Sequence, residues 1–324
     1  MQSTTMAFAG LVGRCEAMET LKARLLRIAP SDLRVHVYGE SGTGKENVAR
    51  ALHELSRRAR RGFVAVNLAG FPDELCAAEL FGHARGAFTG AVAGREGYIA
   101  EAEGGTLFID EVADMSAPAQ VRLLRFLQAG EYQRLGETMP RRADVRIGSA
   151  TNVDLARRVS EGRFRLDLYY RLKGERIVLP PLRERGGDVL LLARHFLRAF
   201  AAAREVPAPA LGRESEALLR RHSWPGNVRE LENEMRRLAV LAAGREVTAA
   251  DLSPEIGEDS TTVDQGLHAA LLQREAEIVA KALGRHGGVQ SRAAAELGIT
   301  RQALWAKIRR LGPALRMAAT AGGP

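Results

Sequence analysis

Residues 35 to 45 constrain this chain more than any other stretch. The apolar run Val35-His36-Val37-Tyr38 leads directly into Gly39-Glu40-Ser41-Gly42-Thr43-Gly44-Lys45, and a helix-prone segment follows from Glu46 to Leu55. A strand, a glycine loop and a helix start, in that order, wrap successive backbone N–H groups around a phosphate. The helix N-terminus adds partial positive charge, and a lysine placed like Lys45 reaches the outer phosphates of a nucleotide. A solvated surface turn is the alternative reading of any glycine-rich loop, and it leaves both flanks unexplained. The generic pattern ends in Ser or Thr, whose hydroxyl binds magnesium. Here that position is Glu46, so a divalent cation must lean on an acid elsewhere.

Thr106-Leu107-Phe108-Ile109-Asp110-Glu111 supplies such an acid. Four residues form a buried strand and two carboxylates emerge at its end. Asp110 can hold magnesium, directly or through water, and Glu111 can then orient and deprotonate an attacking water. An acid pair facing a loop without chemistry is the competing reading. Two further strands end in polar residues: Phe63-Val64-Ala65-Val66-Asn67, and Val145 to Asn152. Asn67 is placed either to face a nucleotide or to cap the next turn. Asn152 is a candidate for positioning water or the last phosphate. Strands alternating with helices predict an α/β unit, a parallel sheet covered on both faces.

Several stretches stay open on the residues alone. Gly86-Ala87-Phe88-Thr89-Gly90-Ala91 makes a poor strand and a poor helix. It is either a loop presenting Phe88 to a partner or a hairpin with a buried Phe. Arg165 and Arg171 lie among apolar residues. They either pair with Asp167 or Glu161, or enter a neighbouring subunit's nucleotide site as arginine fingers. Pro180 to Asp188 reads as a hinge, and helices are expected at 190–203, 214–222 and 227–243. Arg229, in the first turn of the last one, could reach phosphate or could be an ordinary solvated arginine.

The chain has 324 residues, 46% hydrophobic and 27% charged, enough for two or three cored domains. Two cysteines do not make a disulfide framework. No run has the ~18 apolar residues a membrane helix needs, and the N-terminus lacks a signal peptide's basic start, so a cytoplasmic protein without membrane contact is expected. Six of the eight net positive charges lie in the last 60 residues, which carry nine Lys or Arg against three Glu. A basic module on a nearly neutral body points to nucleic acid.

That module has a helical plan. Residues 267–283 are amphipathic. Ser291 is expected to cap a short helix from Arg292 to Leu297, Gly298 to turn the chain, and Thr300 to cap a second helix from Arg301 to Leu311. Leu304, Ile308 and Leu311 face inward, while Arg301, Trp305 and Arg309 share another face beside Gln302. Arg and Gln suit base edges, and Lys307 and Arg310 suit phosphates. A plain three-helix bundle is the alternative. The resulting division is 1–9 disordered, 10–185 α/β, 186–245 helical, 246–264 linker, 265–312 DNA-binding and 313–324 a disordered tail.

With these residues laid out, the chain closely resembles the bacterial sigma-54-dependent transcriptional activators, an enhancer-binding branch of the AAA+ ATPases. The resemblance covers roughly Phe8 to Leu311, includes Glu46 in the phosphate loop, and matches Gly86 to Ala91 residue for residue to the loop that contacts sigma-54. It implies an AAA+ sheet with a helical lid and a Fis-type helix-turn-helix, with ATP and Mg2+ as ligands. Residues 39 to 46, Val12 and Arg229 would then bind ATP. Asp110 and Glu111 would be the Walker B acids, and Asn67 the asparagine that restrains the glutamate. Thr151-Asn152 falls at sensor I, Arg165 and Arg171 at the arginine fingers, and residues 224–231 at sensor II. Trp305 stands where the family usually has Tyr. The implied partners are sigma-54 RNA polymerase, double-stranded enhancer DNA and other copies of the chain, from dimer to hexameric ring. Members usually carry an N-terminal sensory domain; none is visible here, so a separate regulator acting in trans is expected. A nucleotide-binding regulator without motor activity would need a damaged catalytic set, and a remodeller of other proteins would not need both the signature loop and the helix-turn-helix.

Overall fold

A computed structural model describes residues 8, 10–88, 90–257, 275–276, 278–283, 285–286, 289–300 and 304–305. The four runs read as strands become β1 (Val35–Tyr38), β2 (Phe63–Asn67), β3 (Thr106–Asp110) and β4 (Arg146–Thr151), and a fifth strand, β5 (Glu175–Val178), joins them. They form one sheet in the order β2-β3-β4-β1-β5 with every pairing parallel. Parallel strands need crossovers, and the connecting helices cover both faces.

The alternation along β3 shows how the two faces are divided. Leu107 and Ile109 enter a core with α3 (Asp73–Phe81), α4 (Ala117–Ala129) and α5 (Leu166–Leu172). Phe108 between them enters the opposite core, with Met18, Leu21 and Leu25 of α1 (Glu16–Ile28) and Val48, Ala49 and Leu52 of α2 (Lys45–Glu54). Period-two side chains on a strand buried on both sides require this. On α4, Val121 is exposed, and the buried face includes Ala119, Leu123, Leu124, Phe126 and Leu127.

Within β1, buried His36 pairs through Nδ1 with Ser149 Oγ at 2.9 Å. Burial, with a smaller effect of the Arg176 charge, lowers its pKa from 6.5 to about 4. The unfolded chain therefore takes up this proton first as pH falls from 6.5 toward 4, and the fold loses about 2 kcal/mol at pH 5 from this residue alone. Denaturant midpoints at pH 7 and pH 5 should separate more in the parent than in His36→Gln. Equal separation in both would remove His36 from the acid response.

Three helices follow the hinge: α6 (Asp188–Ala202), α7 (Arg213–Arg221) and α8 (Asn227–Leu241). Trp224 between the last two is fully buried, donates from Nε1 to Leu219 O at 2.9 Å and meets the His222 ring edge-on. The stretch expected as a linker from Glu246 carries secondary structure at its start. Glu246–Val247 pairs with Ala210–Leu211 as a short parallel ladder, and a 3-10 turn occupies Ala249–Asp251. Thr248 and Asp251 form a capping box at its start.

The chain divides into two compact units, Met1–Leu252 and Ser253–Pro324. In the second, Val279, Ala282, Ala293, Ala294 and Leu304 share a small core. Its helix Gln290–Glu296 begins earlier than expected, so Ser291 lies in the first turn and Val289 is the N-cap, its carbonyl accepting from the N–H groups of Arg292 and Ala293. Arg292 is exposed, as are Thr300 and Trp305, and Gly298 turns the chain at φ 64°. Arg301, Gln302, Lys307, Arg309 and Arg310 lie outside the described residues. Among the described residues no helix is long and apolar enough to cross a membrane.

Candidate active site

A cleft of about 670 Å³ opens at the carboxyl ends of β1, β2, β3 and β4. This is where a parallel sheet presents its loops and receives ligands. The phosphate loop forms one wall. Gly44, at φ 96°, caps α2, and Gly42 sits at φ 76°. A Cβ on Gly42 would lie 2.3 Å from the Gly226 carbonyl, so only glycine lets the loop pass this close to the helical domain. The first N–H groups of α2 have no intrahelical acceptor and are available to an anion.

Sheet register brings the polar strand ends together. Asn67 is paired with Asp110 across β2 and β3, and Asn152 follows the end of β4, the other neighbour of β3. Glu111 leaves β3 at φ 50°, a left-handed conformation uncommon for a non-glycine residue and typical of constrained functional positions. Its carboxylate lies between Lys45 Nζ and the backbone N–H of Asn152, at 3.3 Å from each. Lys45 is almost completely buried and also donates to the Gly39 carbonyl at 3.2 Å. Asp110 accepts from the Glu111 N–H at 3.0 Å through one oxygen.

Asn67 differs from what the resemblance implies. It lines the cleft, but its Oδ1 accepts from the Ala69 N–H at 2.8 Å, and the partners of Glu111 are Lys45 and Asn152. The left-handed turn at Glu111 directs the carboxylate toward the lysine. Of the two sequence alternatives for Asn67, the turn cap is the contact it makes, at the cleft wall.

The helical domain contributes Val228, Arg229 and Glu232 to the same cleft. Val12 lines an adjoining cavity of about 170 Å³ with Leu192, His195, Phe196 and Arg185. Arg229 was legible as a lone residue; Val228 and Glu232 were missed, although their spacing of four places them on one helix face. Glu46 lines the cleft and pairs with Arg50 at 3.0 Å. Glu40 is gripped by Arg183 at 2.6 Å, which with a donor from Asn227 holds its pKa down to about 2.

Two groups of predicted residues lie away from the cleft. Ala84 and Leu135 anchor the Gly86 to Ala91 loop through a backbone hydrogen bond of 2.8 Å, and Gly86 and Gly90 both have positive φ. Phe88 is half-buried against the His83 ring at 5.0 Å, midway between its two expected settings. Thr89 is outside the described residues. Arg165 pairs with Asp167 at 2.7 Å, the intramolecular alternative, whereas exposed Arg171 forms no ion pair among the described residues.

A glycine cradle, a buried lysine and two consecutive acids at the end of strand β3, capped by a helical domain, define a P-loop ATPase of the AAA+ type. Residues 11–178 match the sigma-54 interaction domain, 183–268 the AAA+ ATPase lid domain and 270–311 the Fis family of bacterial regulatory proteins. The chain belongs to the sigma-54-dependent transcriptional activators, regulators that join an ATPase domain to a DNA-binding helix-turn-helix. It is 45% identical over 311 residues to the transcriptional regulatory protein ZraR of Salmonella typhimurium, covering 96% of this chain and 70% of that protein. To the DNA-binding transcriptional regulator NtrC of the same organism it is 50% identical over 251 residues, 78% of this chain and 54% of that protein. Among solved structures it is similar to NtrX from Brucella abortus in complex with ATP, at 37% identity and TM-score 0.70, covering 93% of this chain and 69% of that one.

Proposed function

We propose that this chain is an ATP-driven motor that opens sigma-54 promoters. Subunits form a hexameric ring at an upstream enhancer, bound through the C-terminal helices. ATP held at a subunit interface drives the Phe88 loop against sigma-54, and hydrolysis remodels the closed polymerase complex into an open one. The observation that carries this reading is the Glu111 carboxylate, held at the cleft between Lys45 and the Asn152 N–H. Once the ammonium turns to the outer phosphates, the carboxylate is free to accept a proton from water.

The other residues take roles around this exchange. N–H groups of Gly42, Gly44, Lys45 and Glu46 receive the phosphates, Arg229 adds charge from the lid, and Asn67 and Asn152 border the water. Asp110 suits magnesium: its second oxygen makes no hydrogen bond among the described residues. No cluster of three or more metal-ligating side chains occurs among them, so phosphate oxygens would complete the coordination shell. Bound magnesium would neutralise charge on the outer phosphates. Arg165 and Arg171 would act on a neighbour's nucleotide; exposed Leu166 and Tyr170 beside them are apolar surface that a subunit contact would cover.

Retention of sigma-54 by the purified protein, with a nucleotide mimicking the hydrolysis transition state, tests this. A complex is expected from the parent and not from Thr89→Ala, which should keep its ATPase activity. Intact ATPase without any sigma-54 complex would assign the motor to another target.

A further inference from the structure

The phosphate loop is held from outside by three consecutive contacts. The Ser41 carbonyl accepts from Asn227 Nδ2 at 3.0 Å, the Gly42 carbonyl from the Arg229 N–H at 3.2 Å, and the Thr43 carbonyl from Arg185 Nη2 at 2.9 Å. All three donors belong to the hinge or the lid. A peptide's C=O and N–H point in opposite directions. Drawing the carbonyls of Ser41 and Thr43 onto the hinge and lid therefore turns the N–H groups of Gly42 and Gly44 the other way, toward the cleft that both line, while the Thr43 N–H returns to the Glu40 carbonyl at 3.4 Å.

The donors are built for this. Arg185 is 2% exposed and has no carboxylate within ion-pair distance among the described residues; its second bond goes to the Pro180 carbonyl at 3.0 Å. A buried guanidinium without a carboxylate partner is costly, and here bonds to the Pro180 and Thr43 carbonyls are what offset that cost. Asn227 is fully buried at φ 54°. Its Oδ1 accepts from the Leu182 N–H at 2.8 Å, while its Nδ2 also reaches Glu40 at 3.1 Å. Exposed Arg183 holds that glutamate from the solvent side through two contacts, at 2.8 and 2.6 Å.

We infer that Arg185 and Asn227 are positioning residues for phosphate recognition: they clamp the carbonyl edge of the loop to the lid, so that lid orientation sets the shape of the phosphate cradle. The ligand class is a nucleoside di- or triphosphate, and the inference rests on the reading of the cleft as the ATP site. A lid that swings away takes the clamp with it and releases the product.

The test compares ADP with AMP, which lacks the β-phosphate, by calorimetric titration of the full chain. Asn227→Asp keeps the acceptor for Leu182 and loses the donor; Arg185→Lys keeps the charge and loses the fork. Each should weaken ADP about tenfold, the worth of one good hydrogen bond, with AMP affinity unchanged. Equal losses for ADP and AMP would mean a generally loosened lid and overturn the clamp, as would ADP binding at the parent level. If neither buried variant folds, Arg183→Ala at its exposed site decides. It frees Glu40 and should narrow the ADP-to-AMP ratio about threefold, a fraction of one hydrogen bond; an unchanged ratio overturns the clamp. Absence of ADP binding by the parent would instead refute the ATP-site reading.

Discussion

Glu111→Gln is expected to hold ATP without hydrolysing it, with kcat lowered about 10²- to 10⁴-fold, the contribution of a positioned general base. The glutamine keeps the shape of the side chain and loses only the ability to take a proton. Binding should survive or tighten, because the carboxylate lies 3.3 Å from Lys45 Nζ and competes with phosphate for that ammonium. An uncharged amide gives up that competition. Phosphate release and nucleotide titration on one preparation separate the two effects. Hydrolysis at the parent rate would take Glu111 out of the chemistry, and loss of binding would make it a structural partner of the lysine.

Lys45→Ala should do the reverse and remove nucleotide binding, by about 100-fold or about 3 kcal/mol, the upper range for hydrogen bonds to a charged group. The ammonium is 5% exposed and has Gly39 O and Glu111 within reach, so it is already oriented and largely desolvated before a ligand arrives. Little reorganisation opposes its turn toward phosphate, and no other described lysine lines the cleft. ADP affinity by calorimetry is the measurement, and affinity within about twofold of the parent, a fraction of one hydrogen bond, would refute the assignment. Because the two residues form a pair, Lys45→Ala and Glu111→Gln should not add in a double variant.

The division between legible and illegible features follows the range of the interactions. Val35 to Lys45 announced strand, loop and helix because each step depends on neighbours in sequence: an apolar run, glycines that reach positive φ, a helix start. Thr106 to Glu111 was readable for the same reason. The start of the second unit's helix was not: Ser291 has the composition of a cap, but the backbone places Val289 there. Thr248 and Asp251 misled in the opposite sense, since a capping box uses the same residues as a flexible linker.

Contacts across long separations could not be read at all. Asn227 reaches Ser41 over 186 positions, and Arg185 reaches Thr43 over 142. Nothing local marks either side chain as a neighbour of the phosphate loop, and Arg185 looked like part of a charged hinge.

The sequence by itself determined the chemistry of this protein: a phosphate cradle, an acid pair, a signature loop and a basic helical module, each written in residues next to one another. Only the tertiary structure decided how those parts are held. It placed Glu111 on Lys45 instead of Asn67, and it tied three loop carbonyls to the lid. Those choices depend on strand order and on backbone dihedrals summed over the whole domain, which no single stretch contains.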